Sequence, residues 1–248
     1  MIEKYEPNEE CRKRHLLSID GFSNFMLSQE CDIFDPSNMS VCHDMTQPLT
    51  HYFIAASNKT SVPFARLTAD QFKGPSGIEG YQRALFSGCR YLEMEVTDGA
   101  DGLPVVYRSH TMTNELPVAD VLATIEQFAF IRSDYPLIVS IENHCTPRYQ
   151  LKFAQLLEQY LGRKILRPQE DRRERKWPSP QDLQGLILLK GRKLPYGSSA
   201  AQGFIIEEDE YHESGSGKPQ KMIRELSQLL FLDSTQYEGP SDSLFHPG

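Results

Sequence analysis

From Pro48 onward the chain alternates short apolar runs with apolar stripes at helical spacing. Residues 49–56 are apolar and β-prone and read as a first strand. Over Ile78–Phe86 the residues Ile78, Tyr81 and Leu85 share one side of a helix, and Gly88 supplies its stop. Residues 89–96 and 103–108 read as strands. Residues 118–130 carry Val118, Val121, Leu122, Ile125 and Phe128 as a helical stripe. Residues 135–141 form a short, continuously apolar run, the pattern of a strand buried on both faces. Residues 149–161 predict a helix with Phe153, Leu156, Leu157 and Tyr160 inward and Gly162 at its end. Residues 186–189 read as a further buried strand. Strands alternating with helices predict a parallel α/β arrangement. Periodicity alone leaves a barrel and an open sheet both open.

The flanks read differently. Residues 1–35 precede the punctuating Pro36, and within them residues 19–27 look like a short strand or turn leading into an amphipathic helix. Residues 172–176 are a charged run that reads as a solvated loop. After Leu194 the composition turns acidic and Gly/Ser-rich, which predicts an irregular segment over residues 200–218. Residues 222–231 recover an apolar pattern. The chain carries no internal repeat.

Composition narrows the function classes. A chain of 248 residues can bury a substantial core, and its formal net charge of −8 argues against nucleic acid as a partner. It also argues against a globally basic membrane-binding face, while a local basic patch stays open. No apolar run reaches the length of a membrane span, and residues 1–7 hold no hydrophobic signal core, so a cytoplasmic location is expected. The five cysteines, Cys11, Cys31, Cys42, Cys89 and Cys145, are scattered and read as small buried hydrophobes and free thiols.

Several motifs in one order carry a resemblance. They are residues 44–54 (Asp-Met-Thr-Gln-Pro-Leu-Thr-His-Tyr-Phe-Ile), Gly80-Tyr81-Gln82-Arg83-Ala84-Leu85 and Gly88-Cys89-Arg90-Tyr91-Leu92-Glu93-Met94-Glu95. Tyr107-Arg108-Ser109-His110-Thr111, Ser140-Ile141-Glu142-Asn143-His144-Cys145 and Leu188-Leu189-Lys190-Gly191-Arg192-Lys193-Leu194 follow. Together they resemble the catalytic X region of eukaryotic phosphoinositide-specific phospholipase C. The resemblance implies an α/β fold, the X half of a distorted TIM-type barrel over residues 36–195, preceded by the end of an EF-hand-like helical region over residues 1–35. It further implies an acidic X–Y linker over residues 196–220 and a truncated start of the Y region over residues 221–248. Residues 1–35 contain no Asp-x-Asp-x-Asp-Gly loop, so no calcium is assigned there.

The resemblance also implies a site. Chemistry in such barrels sits at the C-terminal ends of the strands. The family's first strand runs into Ser-Ser-His-Asn-Thr, with a catalytic His and a calcium-ligating Asn; here those two positions hold Asn58 and Lys59. The second catalytic His position holds Arg108. The three metal carboxylates fall on Glu93, Glu95 and Glu142, with Glu95 one methylene longer than the usual Asp. Lys190 and Arg192 match basic residues that contact ring phosphates. Asn and Arg cannot take and return a proton near neutral pH, and a protonated Lys has no lone pair for a metal. Lys59 is left with two readings, pairing with the carboxylates in the metal's place or extending to solvent. His110 and His144 read as structural histidines.

The function implied is a phosphoinositide phospholipase C-like protein of intracellular lipid signalling. It would be catalytically impaired and bind a phosphoinositide or inositol phosphate headgroup, peripherally at a membrane surface, or an unknown protein partner. The alternatives are an active calcium-dependent phosphatidylinositol bisphosphate phosphodiesterase with an altered site, and a partial product of a longer phospholipase C. Calcium is the family's cofactor, and Lys59 argues against it here.

Overall fold

The computed structural model describes residues 1–32, 41–58, 60–61, 77–107, 115–168, 177–194, 202–207 and 218–234. The chain divides into two compact units, Met1–Met45 and Thr46–Gly248.

The first unit holds three short helices, α1 (Ile2–Tyr5), α2 (Glu9–Lys13) and α3 (Ile19–Met26). Asn8 caps α2 by accepting from the Glu10 and Cys11 N–H groups, and the Ser18 hydroxyl caps α3 by accepting from Gly21. The residues read as a strand or turn are therefore helical from Ile19 itself. The buried Glu6 carboxylate ties these caps together, accepting from the Asn8 N–H and from both the N–H and hydroxyl of Ser18. Tyr5 and Phe25 meet edge-to-face with ring centroids 5.4 Å apart.

The second unit is built on a mixed sheet. Its strands are β1 (Ala56–Ser57), β2 (Tyr91–Asp98), β3 (Pro104–Val106), β4 (Leu116–Pro117), β5 (Leu137–Asn143), β6 (Ile187–Gly191) and β9 (Leu232–Asp233). Of these, β1, β2, β5, β6 and β9 run parallel, and β3 and β4 form an antiparallel extension. A separate antiparallel pair joins β7 (Gln202–Glu207) to β8 (Lys218–Ile223). The helices are α4 (Ile78–Phe86), α5 (Val118–Phe128), α6 (Pro147–Leu161) and α7 (Arg224–Ser227). Parallel pairing runs β1–β2, β2–β5, β5–β6 and β6–β9. The strand expected over residues 103–108 pairs antiparallel to β2 instead, because a tight return at residues 99–103 leaves no room for the crossover that parallel strands need.

Strand alternation gives this sheet two differently used faces. Leu92, Met94 and Val96 of β2, Val139 and Ile141 of β5, and Ile187 and Leu189 of β6 point to the helix-covered side. There they pack with Tyr81 and Leu85 of α4, Val121, Leu122 and Ile125 of α5, and Phe153 and Leu157 of α6. Each such side chain stabilises the fold by about 1.5–3 kcal/mol of apolar burial. The opposite face is apolar only near the strand starts, where Ile138 and Leu188 pack with Leu49, Leu183 and Phe231. Toward the strand ends it becomes polar.

Two stretches differ from the sequence expectation. Residues 49–56 are not one strand: Leu49–His51 is a 3-10 turn, and only Ala56–Ser57 pairs. Leu49 is fixed by tertiary contact, donating its N–H to the Pro178 carbonyl, while Phe53 is fully exposed. The expected irregular segment contains β7, where the run Phe204-Ile205-Ile206 supplies strand propensity inside an acidic, glycine-rich neighbourhood. The following segment is core: Met222, Ile223, Leu226, Leu229 and Leu230 are buried. The buried Gln150 of α6 binds it by donating to the Lys221 carbonyl and accepting from the Ile223 N–H, and also donates to the Cys145 carbonyl just before its own helix.

Candidate functional site

The polar end of the face turned away from the helices, here called the inner face, is built row by row from the sheet register. Glu93, Ser140 and Lys190 are lateral partners across β2, β5 and β6. One row further toward the strand ends, Glu95 partners Glu142. Tyr91, Ile138 and Leu188 form the row beneath, so polar groups stand on an apolar floor. All three glutamates and Lys190 are partly buried.

Each position is held by its backbone. The Glu93 N–H donates to the Thr60 hydroxyl, and the Thr60 hydroxyl donates to the Ser57 carbonyl. Thr60 is buried, so it fastens the turn after β1 to β2 at Glu93. The Glu93 carbonyl accepts from the hydroxyl of Tyr81, which is wholly buried in α4. Burial pushes the Tyr81 phenol well above its ordinary pKa, and the Glu93 charge adds to the effect. Lys190 sends its ammonium toward the Tyr91 hydroxyl at 3.4 Å and over the Tyr91 ring at 5.8 Å. Beyond β6, burial raises the carboxyl pKa of Asp233, and its bond from the Lys193 N–H partly offsets this.

His144 joins the group. Its N–H continues the ladder past β5 by donating to the Val96 carbonyl at 2.8 Å. It therefore emerges on the same face as Glu142, two residues before it. His144 Nε2 lies 3.5 Å from Glu95 Oε1. Donor atoms of Glu95, Glu142 and His144 all lie within 4.8 Å of one another.

Of the residues singled out in the sequence, Glu93, Glu95, Glu142 and Lys190 share one face of neighbouring strands, and Arg192 follows β6 directly. Asn58 directly follows β1 and is exposed. Lys59 and Arg108 lie outside the described residues. The sequence reading gave Thr60 and Tyr91 no site role, placed Tyr81 only on the inward helix stripe, and read His144 as a structural histidine rather than as a neighbour of Glu95. An alternation count would have found His144, because Glu142 and His144 are two apart at a strand end.

The sequence profile described as phosphatidylinositol-specific phospholipase C, X domain, matches residues 45–193. The chain belongs to the phosphatidylinositol-specific phospholipase C family. A second profile, the EF-hand-like region of phosphoinositide-specific phospholipase C, matches residues 1–36. Among curated proteins, the chain is 44% identical over 225 residues to mouse "Inactive phospholipase C-like protein 2", covering 91% of this chain and 19% of that protein. It is 40% identical over 247 residues to human "Inactive phospholipase C-like protein 1", covering 96% of this chain and 22% of that one. Bovine "1-phosphatidylinositol 4,5-bisphosphate phosphodiesterase delta-4" matches at 45% over 195 residues, covering 78% and 24%. The chain thus spans about a fifth of the length of these relatives. The crystal structure of S. officinalis PLC21 superposes with a TM-score of 0.74 at 27% identity, covering 98% of this chain and 31% of that one. The parallel strands of the second unit are accordingly part of a TIM-type barrel. No helix among the described residues is long and apolar enough to cross a membrane.

Proposed function

We propose that the chain is a phospholipase C-like module with impaired phosphodiesterase chemistry, retained to bind an inositol phosphate headgroup. One observation carries the reading. Glu93, Glu95 and Glu142 stand on the adjacent strands β2 and β5, while the residue that follows β1, which the resemblance aligns with the family's first histidine, is Asn58. The family's reaction needs a group there that stabilises charge and moves a proton. An amide cannot do this. The sequence adds Arg108 at the second histidine position and Lys59 at the metal-ligand asparagine. Two relatives of high identity carry "inactive" in their names, which supports the same conclusion.

Headgroup binding rests on charge placement. Lys190 stands on the inner face beside the glutamate rows, with Arg192 just beyond it. Two cations at one strand end suit ring phosphates. Calcium does not fit the donor set well: it takes six to eight oxygens, and a protonated Lys59 contributes none. Peripheral association with a phosphoinositide-bearing membrane surface and an unknown protein partner belong to the same proposal. The test is calorimetric titration with inositol trisphosphate alongside a hydrolysis assay on phosphatidylinositol bisphosphate. Saturable binding, weakened about tenfold by Lys190→Ala and unaccompanied by product, is expected; a change near 1.4 kcal/mol corresponds to that factor. Equal affinity of wild type and variant would remove Lys190 from the headgroup site.

A further inference from the structure

Beyond headgroup binding, the geometry points to a transition-metal site of the zinc class formed by Glu95, Glu142 and His144. Two features of the fold bring these donors together. Glu95 and Glu142 are register partners on adjacent parallel strands. His144 prolongs β5 through its bond to Val96, so its ring emerges on the Glu142 side. His144 Nε2 already stands 3.5 Å from Glu95 Oε1, and the full trio lies within 4.8 Å. Around tetrahedral zinc with ligands at about 2.0–2.1 Å, donor atoms stand roughly 3.4 Å apart. The His144–Glu95 pair stands close to that separation, and the whole trio lies within 4.8 Å.

The imidazole decides the class of metal. Calcium takes oxygens, whereas zinc and its first-row neighbours accept a neutral imidazole nitrogen together with carboxylates. Two carboxylates and one imidazole leave the fourth tetrahedral position to water or a ligand oxygen. The His144 and Glu95 side chains are 29% and 18% exposed, so an ion can reach them from solvent. The inference rests on no headgroup contact and on no hydrolysis, and it stands or falls separately from the proposed function.

The test uses the full 248-residue chain, stripped with chelator, in a competition titration with a chromophoric zinc indicator, repeated with calcium and with cobalt(II). One equivalent of zinc should bind at least about tenfold more tightly than calcium. Cobalt should give a visible d–d band without the near-ultraviolet charge-transfer band of thiolate ligation, which sets the five cysteines aside. His144→Gln should weaken zinc by at least about tenfold, since even an outer partner of a metal ligand is worth 10–100-fold. Glu95→Asp, which keeps the charge and shortens the reach, should also weaken zinc. Both positions are partly exposed, and matching melting curves in chelator would show that the variants fold. Zinc affinity unchanged by His144→Gln, absence of saturable zinc binding, or calcium binding as tight as zinc would each overturn the inference.

Discussion

Gln150→Leu tests whether the segment after β7 is part of the core. The substitution roughly keeps side-chain volume and removes three hydrogen bonds: to the Cys145 carbonyl at 2.8 Å, to the Lys221 carbonyl at 2.7 Å and from the Ile223 N–H at 3.0 Å. Gln150 has no exposed surface, and its bonds to the Cys145 carbonyl and from the Ile223 N–H are buried, so water cannot replace those two partners without opening the packing; the bond to the Lys221 carbonyl is partly buried. A buried polar group left unsatisfied costs about 1–3 kcal/mol. The Ile223 N–H loses its acceptor outright, and the two carbonyls each lose a donor. The summed cost is therefore about 2–5 kcal/mol against a total stability of roughly 5–15 kcal/mol for a domain. The damage should begin locally, because the Lys221 carbonyl and the Ile223 N–H join α6 to the strand that leads into α7. Urea unfolding measures the total, and amide exchange at Ile223 and in residues 224–231 measures the local part. A loss below about 0.5 kcal/mol, the range of an ordinary surface change, with an unaltered Ile223 exchange rate would refute the reasoning.

Two further outcomes are expected. The Glu6 carboxyl is held below its ordinary range, chiefly by the Ser18 N–H, with the Asn8 N–H and Ser18 hydroxyl adding. Because the folded value is depressed, its contribution is present above the unfolded pKa and lost as pH falls through the folded one; Glu6→Gln should flatten this acid loss, as followed by helix signal in the first unit, and an unchanged acid limb would contradict it. Burial, reinforced by Asp98, pushes the Cys145 thiol up to about 12, so iodoacetamide at neutral pH should label exposed Cys42 while leaving Cys145 unmodified until urea unfolds the chain; labelling of Cys145 in the native state, read by peptide mass, would count against the packing.

Local pattern located the elements whose environment is simple. α4 begins and ends where its stripe and Gly88 place it, since Gly88 adopts φ 87°, a conformation that favours glycine. β5 and β6 were visible as apolar runs because they are buried on both faces near their starts. Residues 49–55 misled because Leu49 and Ile54 are apolar for a different reason, packing under the sheet from a turn. β7 was hidden by its neighbours' acidic composition. Gln150 is polar on a helix and gave no sign that it would be fully buried, because its partners lie 5 and about 70 residues away. For the site, alternation placed Glu93 and Glu95 on one face, but their meeting with Glu142 depends on inter-strand register, which a single sequence does not encode locally. His144 needed the same register plus one rung of ladder beyond the strand.

The proposed function holds that Glu93, Glu95 and Glu142 persist as a carboxylate framework without the proton handling and calcium ligation of the family's reaction. The most direct measurement is turnover of phosphatidylinositol bisphosphate by the chain with and without calcium, for the wild type and for Asn58→His, Lys59→Asn and Arg108→His made singly. Residues that act as a unit give nearly silent single restorations. No product above the blank is expected for the wild type at any calcium concentration, and none for any single variant. Calcium-dependent product from the wild type, abolished by Glu142→Gln, would contradict it.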